Sequence, residues 1–382
     1  MADMWGFAKR KLAELEGRDR LRRTRALSSP TGPMVIRDDR EFLLFASNDY
    51  LGLANHPKVT EAASEAAARW GVGAGSARLI SGALEIHDEL ERAIADLKGT
   101  EDAVLFGSGY LANLGLQALA DADTVIFSDA LNHASLIDGI RLTGAHRHIF
   151  GHLDLDELRN LLHAHRTAKR MIIATDGVFS MDGHVADIAT LADLAEEHAA
   201  LLFVDDAHGT GVVGPEGRGS TTDAPDAIVM GTLSKALGSA GGFIAGPKIM
   251  CDLLRNTARS YIFDTAMPAP VAAAGIAAIT ILRSEPERVQ RLHRNAAMLV
   301  SALREGGIGA KETSTAIIPI IVGPDADAIG AAARLQERDI LIPAIRPPSV
   351  PEGTARLRVT VTSEHTPEQI ARAAKTMIEV LA

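Results

Sequence analysis

From about residue 100, short apolar runs alternate with stretches whose apolar residues recur at helical spacing. The runs fall at 103–106, 124–127, 148–150, 171–174, 201–204, 228–230 and 243–245. Continuous apolar runs, rather than alternating ones, belong to strands buried on both faces. Joined by helices, they predict an α/β fold with a mostly parallel central sheet covered on both sides. Upstream, Trp5, Ala8, Leu12, Leu15 and Leu21 are spaced for an amphipathic helix between residues 5 and 25, broken by Pro30, Gly32 and Pro33. Downstream, long helices are expected near 268–283 and 285–305. Runs at 317–322, 341–343 and 357–361 then read as strands of a smaller α+β domain. The expected division is an N-terminal helical arm over 1–45, a large domain over 46–283 and a small C-terminal domain over 284–382.

Composition narrows the function classes. At 382 residues the chain can bury a large core, and its 47% hydrophobic and 23% charged residues are ordinary for a globular enzyme. A net charge of -10 argues against nucleic-acid or membrane-surface binding, which needs a basic face. The single cysteine, Cys251, excludes an internal disulfide framework and a cysteine-based zinc site. The first 25 residues are too charged for a signal peptide and contain acids uncommon in transit peptides, so a cytoplasmic location is expected. The apolar stretch 269–282 is shorter than the roughly 20 residues that span a bilayer.

In open parallel sheets, ligands sit beyond the carboxyl ends of the strands. After 103–106 comes GSGYLANLGLQ, a glycine turn opening a helix at about Tyr110. Backbone N–H groups at such a start can cradle a phosphate, although a plain tight turn fits the same residues. After 201–204 comes DDAHGTG, with Asp205, Asp206 and His208. A buried strand-end carboxylate needs a partner, either a salt bridge, a metal or a cationic ring nitrogen. Metal is disfavoured, because there is no HExxH and the other histidines are scattered; His163 and His165 read as solvated on a polar helix. After 228–230 comes GTLSKALGSAGGF, in which Lys235, one of nine lysines, is set among small residues. Such a lysine can attack a carbonyl, or simply pair with a buried acid. Acid, lysine and glycine turn together are the parts of a pyridoxal 5′-phosphate (PLP) site.

Six segments then carry a resemblance: SNDYLGL (47–53), NHASLIDG (132–139), FSMDG (179–183), VDDAHGTGV (204–212), GTLSKALGSAGG (231–242) and AIRPPSVPEGTARLRVT (344–360). In order and spacing they resemble the α-oxoamine synthases, PLP-dependent transferases of fold type I (the aspartate aminotransferase-like fold) that condense an amino acid with an acyl thioester. The resemblance implies that Lys235 carries PLP as a Schiff base and moves the α-proton, that Asp205 pairs with the pyridinium nitrogen and that His133 stacks on the ring. It implies further that His208 and Ser180 contact the ring hydroxyl side, and that the backbone of Gly109 and Tyr110, with Thr232, binds the phosphate. Thr265 would reach the phosphate of the partner subunit in a homodimer, and Asn48 and Arg358 would hold the amino-acid carboxylate.

Within that family, 344–358 resembles the members that join L-alanine to a pimeloyl thioester, on CoA or a carrier protein. Arg22 matches the position assigned to the distal carboxylate, though it sits in a cluster of five arginines that also reads as a solvated helix face. Ser349 falls where threonine is common. Sister enzymes using glycine share the PLP core and remain the alternative. Three positions depart from the family pattern: Asp176 for glutamate, His184 for aspartate, and Asp264 for a small hydroxyl residue.

Overall fold

A computed structural model describes residues 4–381; residues 1–3 and 382, at the outer ends of the expected arm and C-terminal domain, lie outside the described residues. The chain forms two compact units, one of residues 48–293 and 314–316, the other of the described residues of 1–47, 294–313 and 317–382.

The larger unit is built on seven strands: Asp102–Phe106 (β1), Thr124–Asp129 (β2), His146–Phe150 (β3), Arg170–Asp176 (β4), Leu201–Asp205 (β5), Ile228–Thr232 (β6) and Gly242–Gly246 (β7). Their order across the sheet is β1-β7-β6-β5-β4-β2-β3. β7 is antiparallel to both neighbours, whereas β6, β5, β4, β2 and β3 run parallel. Successive side chains of one strand enter two different cores. Ile172, Ala174 and Phe203 pack on one face with Leu116, Leu136 and Leu254. Met171, Ile173, Leu202 and Val204 pack on the other with Leu158, Leu162 and Leu191. Burial on both faces is why these segments read as unbroken apolar runs. Four neighbouring parallel strands therefore end at the same edge of the sheet, in Thr232, Asp205, Asp176 and Asp129, with Asp205 and Asp176 directly paired.

In the smaller unit, a hairpin of Met34–Arg37 and Arg40–Leu44 pairs with Ile340–Leu341. A second sheet joins Ile317–Gly323, Ala355–Thr360 and Ala344–Ile345, all antiparallel. The strand expected at 341–343 is replaced by two strand dipeptides, Ile340–Leu341 overlapping its start and Ala344–Ile345 just beyond it, with Pro343, which supplies no N–H to a ladder, between them. The expected N-terminal helix is shorter than its apolar spacing suggested: it spans Gly6–Glu16 and ends at Gly17, and none of its residues is buried in this chain. The long helices are Ala269–Ser284 and Glu287–Glu305. Among the described residues no helix is long and apolar enough to cross a membrane, and no group of acids, histidines and cysteine is arranged to hold a metal.

Candidate active site

Asp205 ends β5 with 4% of its surface exposed. Its Oδ1 accepts the N–H of Ala207 at 3.0 Å, and its Oδ2 accepts Nδ2 of Asn113 at 2.7 Å. Neither partner is a cation, and a buried strand-end carboxyl held by neutral donors suits a cationic ring nitrogen. Its neighbour Asp206 behaves differently. Lys98 donates to Asp206 Oδ2, Thr210 Oγ1 and the Arg218 carbonyl, each at 2.7 Å, with Lys98 and Asp206 side chains fully buried. Of the two acids in the DDAHGTG segment, Asp206 is the structural salt bridge.

The same asparagine reaches His133. Asn113 Nδ2 also donates to Ser135 Oγ at 2.8 Å, and Ser135 Oγ lies 2.6 Å from His133 Nδ1. Because Ser135 Oγ receives the amide hydrogen, its own hydrogen points to His133 Nδ1, which also accepts the Ser135 N–H at 3.3 Å. The imidazole is thus held with Nδ1 bare. Desolvation by the surrounding atoms, partly offset by Asp205 and reinforced by Lys235, lowers its proton affinity below the ordinary histidine range although the residue as a whole remains exposed. A neutral flat ring beside Asp205 suits stacking on an aromatic ring.

Lys235 sits half-buried in the turn between β6 and β7. That turn demands glycine: Gly238 has φ +60°, and a Cβ there would lie 2.3 Å from the Ala54 nitrogen. At the start of β7, a Cβ on Gly242 would lie 2.5 Å from the Ser108 carbonyl oxygen and 2.6 Å from the Gly109 nitrogen. The close approach seats the 107–110 loop beside β6, where the Cβ position of Gly109 is 3.6 Å from Thr232 Oγ1. Ser108 caps the helix Gly109–Leu114 by accepting the Leu111 N–H at 3.2 Å. A hydroxyl beside a helix start, with a lysine on the next turn and an anion on the next strand, fits the phosphate, aldehyde and ring nitrogen of PLP.

Buried Tyr50 links two further expected residues. Its hydroxyl lies 3.1 Å from Asn48 Oδ1 and 2.8 Å from His208 Nδ1. Asn48 Oδ1 only accepts, so the hydroxyl donates there and receives the Nδ1 hydrogen of His208. Ser180 is buried in the same unit.

Residues 40–377 match the family model for class I and II aminotransferases. The chain belongs to that family. A putative 8-amino-7-oxononanoate synthase of Desulforudis audaxviator is 47% identical over 92% of both chains. An 8-amino-7-oxononanoate synthase of Geobacter sulfurreducens is 43% identical, covering 97% of this chain and 96% of that one. Among solved structures, a serine palmitoyltransferase from S. paucimobilis with a bound PLP–myriocin aldimine superposes with a TM-score of 0.92 at 28% identity, covering 98% and 97% of the two chains. The aminotransferase family and its fold type I architecture agree with the strand order found here.

In this aminotransferase-family chain, Lys235, Asp205, His133, His208, Asn48, Ser180, Gly109, Tyr110 and Thr232 all lie in the larger unit. The side chain of Tyr110 is exposed and its hydroxyl donates to Asp138. Thr265 is exposed and lines a cavity of about 20 Å³ with Gly107 and Arg78. Asp264 lies against the same loop: a Cβ on Gly107 would sit 2.5 Å from its Oδ2. Arg22, Ser349 and Arg358 belong to the smaller unit; Arg358 is buried in Ala355–Thr360, while Arg22 and Ser349 are exposed. His165 is half-buried with its ring 4.2 Å from that of His148, not solvated as its polar helix suggested. Sequence reasoning passed over Asn113, Ser135, Tyr50 and Asn132. Asn113 did leave a signal, a polar residue between Ala112 and Leu114 on the buried side of its helix.

Proposed function

We infer that this chain catalyses the 8-amino-7-oxononanoate synthase reaction of biotin biosynthesis. L-alanine and pimeloyl-CoA, or a pimeloyl-carrier protein, give 8-amino-7-oxononanoate, CO2 and the free thiol carrier. The observation that carries this reading is the 41–47% identity to relatives of that name across at least 92% of the chain. The cofactor is PLP, which when bound accepts the charge developing at the amino-acid α-carbon and lets the carboxylate leave as CO2.

The chain's own residues divide the remaining work. Lys235 Nζ anchors the cofactor aldehyde and, once displaced, takes and returns the α-proton of alanine. Asp205, fixed by Asn113 and Ala207, holds a proton on the ring nitrogen. His133, with Nδ1 engaged by Ser135, covers one ring face and excludes water there. His208 and Ser180 orient the ring hydroxyl side, with Tyr50 fixing the tautomer of His208. Gly109, Tyr110 and Thr232 hold the phosphate, with Thr265 serving the partner's site in a homodimer. Asn48 and Arg358 take the alanine carboxylate. Arg22 takes the distal pimeloyl carboxylate, and Ser349 lines the acyl path. The protein works in the cytoplasm.

Mass spectrometry of the product formed from alanine and pimeloyl-CoA tests this reading. The expected product is 8-amino-7-oxononanoate. Preferential turnover of glycine with acetyl- or succinyl-CoA would replace it with the sister reaction.

A further inference from the structure

Three adjacent strand ends carry carboxyl groups: Asp176 on β4 and Asp205 on β5 share one face of the sheet, and Asp129 on β2 falls on the other. Their exposures are 2%, 3% and 4%. Asp176 and Asp205 are direct Cα partners in the ladder, and Ser128 pairs with Ala174, which leaves Asp129 one step short of Asp176.

The donors around the three are unequal. Asp129 accepts the Leu131 N–H at 2.8 Å, the Leu153 N–H at 2.8 Å and His152 Nδ1 at 3.0 Å. Asp205 has Asn113 and Ala207 and faces the ring-nitrogen position. Asp176, between them, receives one donor, the His133 N–H to Oδ1 at 3.1 Å. Its backbone is locked by Asn132, whose Oδ1 accepts the Asp176 N–H at 2.8 Å while its Nδ2 donates to the Ala174 carbonyl at 2.8 Å. Two neighbouring buried carboxyls do not both ionise readily, and the proton stays on the one with fewer donors. Burial first, then Asp205 and more weakly Asp129, push Asp176 well above the ordinary carboxylate range; the His133 N–H and Lys235 oppose them.

We propose that Asp176 is a positioning residue that works as a neutral carboxylic acid, accepting the His133 N–H on Oδ1 and keeping its proton on Oδ2, so that Asp205 is the sole anion offered to the ring nitrogen from β4 and β5. This rests on the assignment of Asp205 made above. An ionised Asp176 would put a second charge beside Asp205 and draw a proton onto His133. A proton on Nδ1 would reverse its contact with the Ser135 hydroxyl and expel the Ser135 N–H that Nδ1 accepts. Asn is the neutral mimic of this acid, with an acceptor and a donor in the same places.

The test is infrared spectroscopy of the holoenzyme carrying carboxyl-13C aspartate, a label that excludes Glu91, another carboxyl pushed up by burial. At pH 7 the wild type should show a labelled band of a protonated carboxyl that D176N and D176E both lack and that fades on alkaline titration. D176N should keep kcat/KM at pH 7 within about threefold and lose the alkaline limb assigned to this ionisation. If D176N does not fold, D176E still removes the labelled carbon and assigns the band. A wild type without a protonated aspartate band, a band unmoved by either variant, or a D176N more than 100-fold slower with normal cofactor content would each overturn the proposal. The band is read without turnover, so its presence in a protein that does not condense alanine with pimeloyl-CoA would count against the reaction and leave Asp176 standing.

Discussion

Asn113 Nδ2 donates one hydrogen to Asp205 Oδ2 at 2.7 Å and the other to Ser135 Oγ at 2.8 Å, while its Oδ1 has no partner. The opposite amide orientation would aim Oδ1 at a carboxylate, so the orientation is fixed by electrostatics. Replacing Asn113 with Ala removes a donor from a buried anion, a loss of about 1.5–3 kcal/mol. N113A should bind PLP roughly 10- to 100-fold more weakly by equilibrium dialysis. Unchanged affinity would mean that Asp205 does not need this support.

Gly242 sets the distance between β7 and the 107–110 loop, with a Cβ position 2.5 Å from the Ser108 carbonyl oxygen. G242A must push the loop away from Thr232, at a cost of about 1–3 kcal/mol. Thermal unfolding should shift down, and inorganic phosphate should compete with PLP less well than in the wild type. A variant with the wild-type melting temperature and phosphate competition would refute the cradle.

Lys98 and Asp206 form a buried pair whose partners tie Thr210, Arg218 and Ser220 into the segment that follows Asp205. K98M leaves an unpaired buried carboxylate, at about 3–5 kcal/mol. Denaturant unfolding should show that loss, and K98M/D206L should recover much of it. If the double variant is no more stable than K98M, the pair is not the source.

His365 predicts the acid limb of stability. Its Nδ1 accepts the Thr362 N–H at 2.9 Å, its Nε2 donates to the Leu44 carbonyl at 3.0 Å, and its ring stacks on Phe45. Burial is the main cause that lowers its pKa to about 4. The folded value lies below the unfolded value of about 6.5, so its contribution is present above pH 6.5 and lost as pH falls towards 4, up to about 3 kcal/mol. Chemical denaturation at several pH values should show this slope in the wild type and a flatter one in H365N. Equal slopes would exclude His365 as the source.

The sheet was legible because both-face burial leaves unbroken apolar runs, and the runs at 103–106 and 201–204 fall inside β1 and β5. Asp205 was legible because it directly follows such a run, and Lys235 because it stands among small residues in the turn a few positions beyond one. The hairpin Met34–Arg37 and Arg40–Leu44 was not legible, since its strands are short and half exposed, so no period stands out. The residues that orient the site were also hidden. Asn113, Ser135 and Asn132 act through contacts 22 to 92 positions away in sequence, which no local pattern records.

The most direct measurement is peptide mass spectrometry after borohydride reduction of the PLP-loaded protein. A pyridoxyl group fixed on the peptide containing Lys235, and absent from K235A, is the predicted result. Reduction that leaves that lysine unmodified, or that marks another of the nine lysines instead, would contradict the account.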